Sequence, residues 1–332
     1  MSAAGIRDVA ERARVSVGTV SNALNHPEKV SADAQARIRD AIADLGYVRN
    51  DAARVLRAGR SSTIGLVVLD VRNPFFTELA RGAEAEAARH GLSVILGNAD
   101  EDPQREAAYL DLFEEQRVRG VLLSPYGATE PRLRRLQDRG IGAVLVDRAS
   151  TDRRFGSVSV DDVAGGRLAV EHLLATGRRR IAFVGGPDGI RQVADRLGGA
   201  REAVAAVEGA TLDVVPTTAL TVLEGRRVGL ELLDGPRPDA IFAANDLVAT
   251  GLLQALLIEG TARVPDDIAL IGYDDIDFAV SAMVPLSSVR QPAALIGATA
   301  VRMLLEREDD TAGPAEQVVF QPELVARAST TG

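Results

Sequence analysis

Apolar residues recur at helical spacing through the first 45 positions. Ile6, Val9, Ala10 and Ala13 fall at i, i+3, i+4 and i+7 and predict a short amphipathic helix. Ser16 stands as an N-cap before Val17–Leu24, in which Val20 and Leu24 share a face. Ser31 caps a third helix carrying Ile38, Ala41, Ile42 and Leu45, and Gly46 ends it as a glycine just past the last turn. Three short helices, the first two joined by a tight turn, describe a helix-turn-helix head over residues 1–46. Residues 47–60 (YVRNDAARVLRAGR) form a polar connector too short to be a stable helix alone, because nucleation is costly. They are expected to order only on a partner.

From Thr63 the period changes. Apolar, β-rich runs (TIGLVVLD, LSVILGN, RGVLLSP, GAVLVD, SVSV, RIAFVGG, DAIFAAN, IALIGY) alternate with helical stretches near 75–90, 103–117, 130–139, 161–176, 192–207, 223–234, 245–260 and 293–306. Continuous apolar strands separated by helices imply parallel sheets covered on both faces. The 272 residues after position 60 fit two such sheets better than one. In open α/β sheets ligands sit beyond the carboxyl ends of the strands. Those ends carry Asp70, Asn98, Ser124, Asp147, Asn245 and Asp274. Singly, each could be a cap for the helix that follows; six together point to one cleft.

Composition removes several classes of chemistry. The chain has no Cys, hence no disulfide, thiolate nucleophile or Cys-based zinc site, and its three His stand at no metal-ligand spacing. The longest apolar runs are strand-sized, and the N-terminus lacks the apolar stretch of a secretion signal, so a cytoplasmic location is expected. Net charge is −9 overall, yet residues 1–60 hold ten Lys/Arg against seven acids, +3, which leaves −12 for the rest. A basic head on an acidic body points to phosphate contact through the head alone. Within the head, Asn22 can present a bidentate amide to adenine and Val17 a methyl to thymine, while Gly18 permits close approach. Ser16, Thr19, Ser21, Asn25 and Asn50 suit phosphate oxygens, although Ser16 also serves simply as a cap.

The stretches DVAERARVSVGTVSNALNHPEKVS and ARIRDAIADLGYVRNDAARVLRAGRS resemble the head and hinge of LacI/GalR-type bacterial transcription regulators. The resemblance continues through IGLVVLDVRNPFF, VLVDR, SVDDVAGGRLAVEHLLATGRRRIAFVGG, DAIFAANDLVATGLLQAL, PDDIALIGYDDI and LSSVRQP, and covers residues 5–330. It implies a helix-turn-helix head and hinge helix on a periplasmic-binding-protein-like α/β core of two doubly wound parallel-sheet subdomains. The core would span 61–332: an N-subdomain of about 61–160 with 291–319, and a C-subdomain of about 161–290 with 320–332. The implied function is a repressor whose operator affinity is set allosterically by a small-molecule effector between the subdomains. Its partners would be double-stranded, pseudo-palindromic operator DNA, the effector and a second copy of the chain. No membrane, metal or cofactor is implied, and the bound protein would sit on the nucleoid.

By the same resemblance, Leu56 would enter the minor groove with Ala53 beside it. The implied effector residues are Asp70, Phe75, Phe76, Ser124, Asp147, Arg148, Asp161, Arg196, Leu220, Asn245, Asp246, Asp274 and Gln291. This set suits a mono- or oligosaccharide, since carboxylates, amides and guanidinium groups grip neighbouring hydroxyls; Arg148 and Arg196 would alternatively neutralise an acidic effector. Three positions depart from the pattern. Leu220 stands where a stacking aromatic is common, so the effector's identity stays open. Arg14 replaces the usual turn glycine, leaving that turn strained or differently shaped. Arg49 replaces the proline common before Asn50, and no heptad tail follows the core, which favours a dimer. Two other readings remain: a solute-binding protein, opposed by the head, and an enzyme, opposed by the absence of a G-x-G-x-x-G after a strand, a P-loop or a G-x-S-x-G. Asp274, Asp275 and Asp277 in one short loop lack the oxygen count expected for calcium.

Overall fold

A computed structural model describes residues 4–47, 61–127, 129–187, 189–259, 262–309 and 313–331. They belong to two compact units, Met1–Ser61 and Ser62–Gly332. The connector from residue 48 to 60, with Asn50, Ala53 and Leu56, lies outside the described residues. The first unit holds α1 (Ile6–Ala13), α2 (Val17–Asn25) and α3 (Ala32–Leu45). Ser16 Oγ accepts the Thr19 amide at 3.0 Å and Ser31 Oγ the Ala34 amide at 3.4 Å, so both caps form. Val9, Ala10, Ala13, Val20, Ile38 and Ala41 make a small buried core, largely of valine and alanine. The α1–α2 turn keeps its left-handed shape: Arg14 sits at φ 54°, ψ 49°. The strain therefore falls on the side-chain-bearing residue.

The second unit is built from β1 (Thr63–Val68), α4 (Pro74–Arg89), β2 (Ser93–Asn98), α5 (Pro103–Glu115), β3 (Gly120–Leu123), α6 (Glu130–Asp138), β4 (Gly142–Val146) and β5 (Gly156–Val160). There follow α7 (Asp162–Ala175), β6 (Arg180–Gly185), α8 (Arg191–Ala205), β7 (Thr211–Pro216), α9 (Val222–Asp234), β8 (Ala240–Ala243) and α10 (Asp246–Gln254), which runs into a π-helical turn at Ala255–Glu259. The chain ends with β9 (Ala269–Asp274), α11 (Asp277–Ser281), β10 (Ser287–Arg290), α12 (Ala293–Asp309), β11 (Gln317–Phe320) and β12 (Glu323–Val325).

Two six-stranded sheets result, ordered β11-β5-β4-β3-β1-β2 and β12-β10-β9-β8-β6-β7. All pairs are parallel except β10 with β12. Each sheet thus repeats one winding, 2-1-3-4-5, and adds a last strand from the end of the chain. The chain passes between sheets after β5, after β10 and after β11. The inner strands are buried on both faces, as helices on either side require, whereas the edge strands β2 and β7 show exposed positions.

Helix pairs flanking the sheets cross unusually closely. A Cβ on Gly166 of α7 would collide with the Arg196 carbonyl of α8, and one on Gly199 of α8 with the Val163 carbonyl of α7. The same reciprocal arrangement recurs where α4 meets α12 (Gly82, Gly297) and where α9 meets α10 (Gly225, Gly251). No helix among the described residues is long and apolar enough to cross a membrane.

Candidate functional site

The carboxyl ends of both sheets' strands open onto a cleft holding roughly 430 Å³ not filled by protein, part of it open to solvent. Asp147, one residue beyond β4, and Asp274, the last residue of β9, stand at φ 59° and 103°. Aspartate tolerates such backbone better than bulkier residues, and conformations of this kind gather at functional sites. Each carboxylate is held by an amide from the opposite half of the unit. Gln192, on α8 beside the second sheet, donates Nε2 to both the carbonyl and Oδ2 of Asp147 at 2.7 Å. Asn73, at the start of α4 beside the first sheet, donates Nδ2 to Asp274 at 2.8 Å while its Oδ1 caps the helix at Phe75. Gln291, in the second crossover, adds a further donor to Asp274 at 2.8 Å.

Beneath these lies Arg196. Its Nε donates to Asp162 and its Nη1 to the Ala244 carbonyl, both at 2.8 Å, and its guanidinium carbon lies 3.7 Å from the centre of the Tyr273 ring. Burial works against its charge, but Asp162, Asp274 and Asp147 outweigh it and hold the group firmly protonated. Burial, and for Asp147 also the nearby Asp162 charge, pushes the Asp147, Asp162 and Asp274 carboxyls above the usual carboxylate range. Glu101, in the loop after β2, is pushed up to about 7 by burial and by Asp70.

Eight of the thirteen effector residues implied by the sequence meet in the cleft wall: Asp70, Phe75, Phe76 and Asp147 on one side, Arg196, Leu220, Asn245 and Asp274 on the other. The two phenylalanines pack edge-on, ring centres 5.0 Å apart, and both are buried in the core. Five residues are absent from the wall, each for a physical reason. Asp161 caps α7 through the Ala164 amide, and Arg148 donates to the Gly127 carbonyl. The Asp246 carboxylate is taken up by Ser288 Oγ and the Ile276 amide. Gln291 acts one step back, through Asp274, and Ser124 is fully buried. Of the strand-end residues, Asn98 proves to be a loop cap, accepting from the amides of Val71 and Asp100. Asp275 is paired with Arg290 and Arg327.

The wall also contains Leu69, Asn73, Glu101, Ile190 and Gln192, which sequence reasoning did not single out. A signal existed for one: Gln192 precedes Arg196 by one helical turn and shares its face. In the first unit, Ser16, Val17, Gly18 and Asn22 are exposed and Thr19 and Ser21 half-exposed at the start of α2, with Gly18 and Asn22 opposite the buried Val20. Asn25 closes the helix.

Comparison with known proteins decides the family. Over 98% of this chain and 97% of the other, the sequence is 35% identical to the ribose operon repressor of Halalkalibacterium halodurans. Residues 5–50 match the bacterial regulatory proteins of the lacI family, and residues 170–330 a periplasmic binding protein-like domain. The chain belongs to the lacI family. It is a DNA-binding transcription regulator and not an enzyme. Among solved structures, a lacI-family regulator of Enterococcus faecium with bound ribose is 30% identical, with a TM-score of 0.75 over 81% of this chain and 98% of that one. A lac repressor dimer bound to operator and an anti-inducer is 25% identical, with a TM-score of 0.83 over the full length of both. For this lacI-family regulator the two six-stranded sheets and the helical head are thus the family's own architecture.

Proposed function

We propose that this regulator is a homodimeric repressor that holds a pseudo-palindromic operator with one head per half-site and is controlled by a sugar in the cleft. The observation that carries the reading is the crossed pair of clasps, Asp147 with Gln192 and Asp274 with Asn73. Because each joins the two halves of the core, a ligand that competes for or completes these hydrogen bonds acts directly on how the halves sit together. Differential contacts of this kind are what couple one site to another, by about 1–3 kcal/mol. Carboxylates and amides in pairs suit the neighbouring hydroxyls of a mono- or oligosaccharide. The ribose named for two of its relatives supports that class.

In the head, Ser16, Val17, Gly18, Thr19, Ser21, Asn22 and Asn25 are the proposed contacts to the duplex, with Asn22 reading adenine. Asn50, Ala53 and Leu56 would complete the grip at the centre of the operator. The assignment of 1–46 to DNA, 47–60 to a hinge and 61–332 to effector binding and dimerisation follows from this division of labour. Dimerisation is supported by Leu223, Ile258, Phe278, Val280 and Met283, apolar and exposed on α9, the π turn, α11 and the residues just after it. The proposed site of action is the cytoplasm, on the nucleoid when bound.

The test is fluorescence anisotropy with full-length protein and inverted-repeat DNA from upstream of its gene, with and without ribose or cellobiose. Preferential binding that a sugar shifts by about 5- to 150-fold is expected. Equal affinity for random DNA, with and without sugars, overturns the reading.

A further inference from the structure

Four carboxylates face the cleft, those of Asp70, Glu101, Asp147 and Asp274, against a single guanidinium, that of Arg196, among the described residues. The charge of Arg196 is already balanced by the protein: Nε pairs with Asp162, Nη1 donates to the Ala244 carbonyl and lies 3.9 Å from Asp274, and Asp147 adds a further negative charge nearby. Arg72 grips both oxygens of Asp70 through Nε, at 2.9 and 2.8 Å, and reaches Asp100 through Nη2. Arg148 turns to the Gly127 carbonyl instead. Each of these arginines is thus already engaged by the protein itself.

Two oxygens of the cleft wall, on Gln192 and Asp147, are buried without a partner. Gln192 gives its amide hydrogens to two oxygens of Asp147, which fixes its orientation and leaves Oε1 without a partner. Oδ1 of Asp147 is likewise buried and unpartnered. A sugar hydroxyl brings the hydrogen these oxygens lack, whereas an ionised phosphate or carboxylate brings only further acceptors. Glu101 sharpens the contrast. It sets a second carboxylate beside Asp70 in the cleft wall.

We propose that the cleft filters its ligands by charge, accepting neutral, hydroxyl-rich sugars and rejecting phosphorylated or acidic ones, with Glu101 as the specificity-determining residue. This rests on the sugar reading above and decides it against an acidic effector. The experiment is calorimetric titration of the full-length protein at pH 8 with ribose against ribose 5-phosphate and glucose against glucose 6-phosphate. The parent sugar that binds should do so at least a hundredfold more tightly than its phosphate. Glu101→Gln, nearly identical in shape and checked for native circular dichroism, should narrow that gap about tenfold. A phosphate ester that matches its parent overturns the inference and leaves the sugar reading standing, as does a gap that Glu101→Gln leaves unaltered. Failure of all four compounds, and of cellobiose beside them, to bind removes the sugar reading, and the inference with it.

Discussion

Arg14 occupies a left-handed backbone position that costs a residue with a Cβ about 1–2 kcal/mol relative to glycine. Arg14→Gly should stabilise the head by about 0.5–1 kcal/mol, part of the gain being lost to the freer unfolded chain. In hydrogen exchange of the intact protein, amides of α1 and α2 should then exchange about two- to fivefold more slowly. Glu101 presents the opposite case, a residue that suits its fold better when neutral. Its carboxyl titrates near pH 7 in the folded chain, against 4.5 when exposed. Between those values the folded state binds the extra proton, so its contribution to stability falls as pH rises through this window and then levels off. Glu101→Gln removes that penalty: its melting temperature should equal that of the parent near pH 4.5 and exceed it by about 2 °C at pH 8. Scanning calorimetry at the two pH values checks the sign. Arg196 is bound up with stability, because removing it strands the buried Asp162 carboxylate.

At the scale of elements, α8 links packing to the cleft. It carries Gln192 and Arg196, and its backbone touches that of α7 at Gly166 and Gly199. Gly166→Ala drives a methyl group into the Arg196 carbonyl, which neither helix can yield cheaply. We expect a loss of about 3 kcal/mol or more and failure of effector binding. Gly198→Ala, one residue from that contact but facing open space, is the matched control and should gain about 0.5–1 kcal/mol. Denaturant melts of the two variants separate close packing from helix propensity. The eight core helices read from periodicity fall within a few residues of those observed, because apolar residues recur at helical spacing in each, down to the single Leu133–Leu136 pair of α6. The five-residue α11 was too short for any period to show. The strand β7 escaped because Asp213 interrupts its apolar run on an exposed edge, and β10 to β12 span only three or four residues. The strand-end carboxylates were legible because the topology of such sheets dictates where ligands sit. Asn73 was not, since its partner Asp274 lies in the opposite half of the core and only packing unites them, and Glu101 sits in a loop without a period.

For the whole molecule, the proposed function depends on two copies acting together through parts that lie far apart in sequence. Val280→Asp should place a charge in the exposed apolar surface of α11, yield monomers in sedimentation velocity and weaken operator binding at least tenfold, while leaving sugar affinity nearly unchanged. Leu56→Ala should also weaken operator binding at least tenfold with effector affinity intact, since an apolar wedge gains its energy only from bent DNA. Equal anisotropy titrations for parent and variant would remove Leu56 from the grip. The three helix pairs that meet glycine to backbone set a limit on how such a protein can change over time. Where two main chains already touch, a pair has one seating and no neighbouring one to slip into. New ligand preferences must therefore arise by exchanging side chains on the wall, as Leu220 and Glu101 illustrate, while the frame that carries the message to the DNA is left as it was.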